Sequence, residues 1–349
     1  MKINDGYNVG KKKKGAAAVT LITAVLLLAA AAVSVLIGRY SITPDMLWEI
    51  LFHGDTPLTE EAEAASLVLF ETRIARIAAA VLIGASLSAA GAAYQGIFRN
   101  PMVSPDILGA ATGASFGAAL AILLGAGALM IQVSAFCFGL AAVAASFFTS
   151  SFLTRQSGGA TLTLVLTGMV VSALFSAFIS IIKFVGDPYD TLPTITFWLM
   201  GGLTYVTKDD LFIMLIPFAA GIIPLLLLRW KLNVLSFDDE EASSLGVDTK
   251  KTRAVVILCA TLISSSAVAV GGMIGWVGLI VPHIARMLTG PDYSRMLPCT
   301  MLTGGLFLLI VDDFARCLFA QEIPLGVLTA IIGAPFFLYL MFRGKKSFI

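Results

Sequence analysis

The chain has 349 residues, of which 58% are hydrophobic and only 13% charged, and its mean hydropathy is +0.92. Soluble globular chains carry about 25% charged residues, so lipid is the implied solvent and an ordinary soluble domain is excluded. The net charge of +1 points to neither nucleic acid nor an acidic surface partner.

Lys11, Lys12, Lys13 and Lys14 precede an apolar run over 15–37. That run exceeds the roughly 7 to 15 residues of a signal-peptide core, so a retained first helix with a cytoplasmic N-terminus is expected. Apolar stretches of about 20 residues then follow at 74–98, 107–125, 128–153, 161–184, 209–229, 252–270, 274–289, 296–318 and 325–343. The expected fold is all-α: one polytopic transmembrane domain of about ten helices with both termini cytoplasmic. The segment 191–203 is apolar but short, which suits a re-entrant or interfacial helix. Basic residues support the orientation. Arg39, Arg73, Arg76, Lys183, Lys208 and Arg316 fall on the expected outer side, and the rest of the 23 Lys and Arg fall on the inner side.

Two connections are long and polar. The outer link 38–73 carries Asp45, Glu49, Asp55, Glu60, Glu61, Glu63 and Glu71, and the inner link 235–253 carries Asp238, Asp239, Glu240 and Glu241. Such an inner excursion implies that something docks on it.

Few motifs carry chemistry. Gly109, Gly113 and Gly117 recur every fourth residue, a spacing that lets helices approach closely in lipid. The G-A-S-F-G run at Gly113 formally matches a hydrolase nucleophile elbow, but its helical, apolar flanks lack the strand-to-helix turn the elbow requires. His53 and His283 are the two histidines, and Cys137, Cys259, Cys299 and Cys317 form no C-x-x-C pair. His283 and the four cysteines therefore read as packing residues rather than as catalytic or metal-ligating groups. Asp312 and Asp313 are the acids inside a late span, either a structural pair with Arg316 or the coupling site of an ion-driven secondary transporter. No G-x-x-x-x-G-K-[ST] occurs, so ATP and Mg, if used, are handled by a partner subunit.

Five stretches taken together resemble one family: RIARIAAAVLIGASLSAAGAAYQGIFRNPMVSPDILGAATGASFG from Arg73, FWLMGGL from Phe197, EEASSLGVD from Glu240, AVAVGGMIGWVGLIVPHIARMLTGPDYSRMLP from Ala267, and VDDFARCLFAQEIPLGVLTAIIGAPFFLYL from Val311. They are similar to the permeases of binding-protein-dependent ABC importers for iron-siderophores, haem and cobalamin. The resemblance implies a subunit of a bacterial cytoplasmic membrane that pairs with a second copy or paralogue. Two P-loop ATPase subunits would bind from the cytoplasm and a substrate-binding protein from outside. It also implies that Glu240, Glu241, Ala242, Leu245 and Gly246 couple to the ATPase, that Arg73, Arg76 and Arg316 meet carboxylates of the binding protein, and that Thr161 and Thr163, within 158–163, line an inner gate. Ala75 stands where the family has Pro. No catalytic residue, bound cofactor or metal site is implied for this chain.

Overall fold

A computed structural model describes residues 4–52, 59–157, 160–319 and 321–344. Every regular element among these residues is helical. Lys2, His53, Asp55, Gly158, Gly159, Lys345 and Lys346 lie outside the described residues.

The first helix, α1 (Asn4–Leu36), leads to a short pair, α2 (Pro44–Phe52) and α3 (Glu60–Leu67). One π-helical turn (Val68–Arg73) joins α3 to α4 (Ile74–Phe98). There follow α5 (Ala110–Leu123), α6 (Ala128–Ser157), α7 (Ala160–Val185), the ten-residue α8 (Thr191–Met200) and α9 (Lys208–Leu227). The inner link folds as α10 (Arg229–Val234) and α11 (Asp239–Ser244) before α12 (Thr249–Gly271), α13 (Val277–Thr289), α14 (Tyr293–Cys317) and α15 (Leu325–Gly344). Among the described residues, 7 helices are long and apolar enough to cross a membrane. Two of the expected spans are shorter: Ala110–Leu123 and Val277–Thr289. Both start late because the chain before them is not α-helical: residues 100–104 are turn or extended, Pro105–Leu108 form a single 3-10 turn, and 272–276 are extended or bent.

Helix α4 is the axis of the bundle, buried along nearly its whole length between α12, α13 and α14. Lipid supplies no hydrophobic drive for helix association, so close backbone packing replaces it. A Cβ on Gly84 would lie 2.2 Å from the Gly304 carbonyl oxygen of α14, and one on Gly91 would lie 1.8 Å from that of Gly278 in α13. The predicted small-residue face of α5 is seen at Gly113 and Gly117, whose added Cβ atoms would lie 2.5 Å from the Phe138 and 2.4 Å from the Ser134 carbonyl oxygens of α6. Gly109 is a correction to that stripe. It sits at φ 88° as the residue capping α5, outside the helix, where the left-handed backbone favours glycine. Ser115 lies inside α5 at 0% exposure, so no elbow exists there. Cys259 and Cys299 are buried as expected of packing residues, whereas Cys137 and Cys317 are exposed.

Replacing Gly91 with Ala forces α4 and α13 apart, and overpacking of this kind costs about 1 to 3 kcal/mol. Gly127→Ala, where nothing lies within 4 Å of the added carbon, is the matched control. Melting of the purified chain in detergent should drop for the first variant only, and equal melting would show that the contact is not limiting.

Candidate functional site

The inner and outer ends of the bundle, named after the expected orientation, each carry a charged assembly. At the inner end α11 is a single short helix, and its sequence explains how it is fixed. Val247 N–H donates to the Ala242 carbonyl at 3.1 Å and Gly246 N–H to that of Ser243 at 2.9 Å, while Gly246 takes φ 80°. These two bonds and the left-handed glycine form a Schellman stop. Ala242 is 0% exposed and packs with Val234 and Val247. This corrects its expected role, because a buried methyl that seats the helix on its own chain offers no surface to a partner. Glu240 and Glu241 are exposed, and Leu245 is 53% exposed at the end of the helix.

Asp238 and Asp239 make no N-cap bond to α11, since both carboxylates are drawn elsewhere. Arg99 Nη1 donates to Asp238 at 2.8 Å, Arg99 Nη2 to Asp239 at 2.8 Å and Arg99 Nε to the Leu235 carbonyl at 3.0 Å. Arg253 Nη2 reaches the same Asp239 at 2.7 Å. Asn233 donates to Asp292 at 2.8 Å and accepts from Tyr293 N–H at 2.8 Å, which fastens α10 to the start of α14.

At the outer end the sequence expectation is corrected. Arg73, Arg76 and Arg316 were expected to present charge outward, but they are 4%, 7% and 5% exposed. Arg73 donates to the Val35 and Tyr40 carbonyls at 2.6 and 2.7 Å, satisfying backbone acceptors at and just beyond the end of α1. Arg76 makes a fork to Asp312, with Nε 2.9 Å from Oδ2 and Nη2 2.9 Å from Oδ1, and its Nη1 reaches Glu322 at 2.9 Å. Arg316 donates to the Ser34 carbonyl at 3.1 Å and to Asp313. The physical reason is solvation: a guanidinium near lipid is stabilised by carboxylates and helix-end carbonyls, which the fold supplies internally. Thr204 also donates to Glu322 at 2.7 Å. Burial would raise the Glu322 carboxyl, but the Thr204 hydroxyl and the Arg76 guanidinium outweigh it and hold the group below the usual range.

Asp312, which an ion-coupled transporter would use, is 0% exposed and locked to Arg76. The serine and arginine around Asp313 fix it similarly. Thr161 and Thr163 lie half-buried in the first turns of α7, far in sequence from either charged assembly. The residue missed by sequence reasoning is Arg99. Its signal was there, as an arginine ending a long apolar helix just before Asn-Pro.

A profile of the FecCD transport family matches residues 26–343. The chain belongs to the FecCD transport family. This FecCD protein is 41% identical over 315 residues to the molybdate import permease MolB of Haemophilus influenzae, covering 90% of this chain and 92% of that one. It is 38% identical to a protein of Helicobacter pylori described as a probable iron chelatin transport permease, with 90% and 94% coverage. The cobalamin import permease BtuC of Halobacterium salinarum is 39% identical over 280 residues, 80% of this chain and 74% of that one. A solved metal-chelate type ABC transporter in an inward-facing conformation superposes with a TM-score of 0.83 at 38% identity, covering 93% of this chain and 98% of that one. The FecCD protein is thus a multi-pass ABC-importer permease. The relatives named are transport permeases, not enzymes.

Two outcomes follow for the outer assembly. Arg76→Met alone strands a buried carboxylate and should destabilise the protein by about 3 to 5 kcal/mol, while adding Asp312→Leu should recover most of that loss. Melting of the single and double variants tests this, and equal melting of the two would remove the pair from the structural account. Because the folded-state pKa of Glu322 is depressed, its contribution is present above about 4.3, the unfolded glutamate value, and fades as pH falls below it. The stability difference between wild type and Glu322→Gln should therefore persist at neutral pH and shrink on acidification.

Proposed function

We propose that this chain is the membrane-spanning subunit of an ATP-driven importer that carries an iron(III)-siderophore or a related metal chelate across a bacterial cytoplasmic membrane. In this reading it crosses ten times with both termini inside and pairs with a second copy or paralogue. Two P-loop ATPase subunits dock at α11, and an extracytoplasmic binding protein docks at the opposite end. Bond-breaking chemistry and ATP with Mg belong to the ATPase.

Leu245 carries the reading. It is an apolar side chain, half exposed, on a helix rigidly seated by Ala242 and flanked by Glu240 and Glu241. An isolated surface leucine needs no explanation. One held at a clamped helix terminus within the chain's most polar inner link fits an anchor for a partner groove. The permease relatives of the FecCD family, named for iron chelatin, cobalamin and molybdate transport, support a metal-bearing ligand. The buried outer arginines then act on the binding protein through the shape of the surface they fix, rather than by direct pairing. Nothing in the geometry favours the ion-coupled transporter, because its carboxylates are already neutralised within the fold.

The test is Leu245→Asp in proteoliposomes holding the chain and its P-loop ATPase. Burying a leucine contributes about 1.5 to 3 kcal/mol, and a carboxylate there adds a desolvation cost. Uptake of iron(III) citrate, haem, cobalamin and molybdate should fall relative to hydrolysis for whichever is carried. Wild-type uptake by the variant would remove α11 as the coupling element, and uptake without any ATPase would overturn the importer reading.

A further inference from the structure

Arg99 occupies a position that sequence rules give to glycine. It follows the last residue of α4 in the left-handed conformation, φ 50° and ψ 32°. Together with Trp276 it is one of two non-glycine residues at positive φ among those described. A glycine would adopt this conformation without steric cost. The arginine is retained in a strained backbone, and strain of this kind is held only where the surroundings fix it. What fixes it is the side chain. Its three nitrogens reach the Leu235 carbonyl, Asp238 and Asp239, all on the link that forms α11. The backbone leaving Arg99 runs directly into residues 100–109.

That segment penetrates the bundle. Pro105 fills the space beside Gly278, so that a Cβ there would lie 2.4 Å from Pro105 Cγ. A Cβ on Gly168 of α7 would lie 2.2 Å from the Ile107 carbonyl oxygen. Ser146 of α6 donates to the Leu108 carbonyl at 3.0 Å. Gln95, 2% exposed, donates to the Leu279 carbonyl of α13 at 3.2 Å. The segment therefore touches α7 backbone to backbone at Gly168, α13 through the rigid Pro105 ring against Gly278, and α6 through the Ser146 hydroxyl.

We propose that Arg99 is the positioning residue that ties α11 to the segment 100–109, so that displacement of α11 is delivered to α7 and α13 through one guanidinium. The proposal rests on α11 being the docking element for the ATPase. Exposed ion pairs are individually weak. The tie depends on the fork: Asp239 Oδ1 is shared by Arg99 and by Arg253 of α12, so the link is braced from both sides. A lysine keeps the charge but offers a single point donor, which cannot span a carbonyl and two carboxylates together.

The experiment is hydrogen exchange, read by mass spectrometry, on the full chain in phospholipid nanodiscs. Arg99→Gly keeps the left-handed cap and removes the guanidinium, while Asp238→Asn with Asp239→Asn removes the partners from the other side. Each should speed exchange several-fold in both α11 and residues 100–109, leaving the middle of α4 and α12 unchanged. Combining them should add nothing at residues 100–109, because both variants reach that segment only through the Arg99 bridge, while the Arg253 pair lies on α12. Arg99→Lys should fall between wild type and Arg99→Gly. Acceleration confined to α11, additive effects at residues 100–109, or a uniform rise across all helices would each overturn the proposal. The two ideas fail separately: a Leu245→Asp protein that still imports removes the docking role of α11 and leaves this bridge standing, and unchanged exchange at 100–109 does the reverse.

Discussion

Backbone contact around α4 sets the geometry on which the other helices depend. In lipid, apolar side chains gain nothing by leaving their surroundings for one another, so helices hold together by dispersion at close range and by the few polar bonds they share. The glycines at 84, 91, 278 and 304 bring carbonyl oxygens to within a methyl's width of the neighbouring helix. Spacing fixed by backbone tolerates little sliding, because no flexible side chain lies between the helices to take up the change. The group α4, α13 and α14 is therefore held together by backbone contact, whereas the apolar windows of α6 and α7 are only 22% and 11% buried within the chain.

The two charged assemblies differ in the way this division requires. At the outer end the pairs are buried, multidentate and shared among α1, α4, α14 and the links before α9 and α15. A buried carboxylate such as Asp312 is tolerated only while its guanidinium stays in place, so separation of these helices is strongly opposed. At the inner end the pairs are exposed. Asp238 is 85% and Asp239 54% exposed at the side chain, where water and salt screen each bond. Such a contact holds α11 in register yet yields to a partner that binds tightly. Rigidity at one end and adjustability at the other follow from desolvation alone.

Sequence patterning reached the helices, because apolar runs are written in local composition. The exposure of Leu245 was legible because it is an apolar residue among polar neighbours in that link. Burial of the outer arginines was not legible, since Arg76 finds its carboxylates 236 and 246 residues away and no local pattern announces them. The same holds for Ala242, whose partners Val234 and Val247 meet it only once the link turns back on itself. Gly109 was misassigned because a four-residue glycine spacing looks the same whether its first member is helical or lies in the turn before the helix. The spans at 107–125 and 274–289 were drawn too long for a related reason. Hydropathy measures apolarity, and a 3-10 turn or extended segment among helices is as apolar as the α-helix it precedes.

Ligand identity is a different kind of question from fold, and the structure explains why. A transporter with 38% identity superposes over 93% of this chain, while relatives of comparable identity are named for molybdate, iron chelatin and cobalamin. A core held by backbone contact is indifferent to the size of what passes, since its dimensions are set by glycine and carbonyl positions rather than by any group that meets a ligand. Outside that core, α7 and α8 expose large apolar side chains such as Leu166, Met169, Val170 and Phe197. On the proposed importer reading, selection of the cargo then falls to the binding protein, before entry.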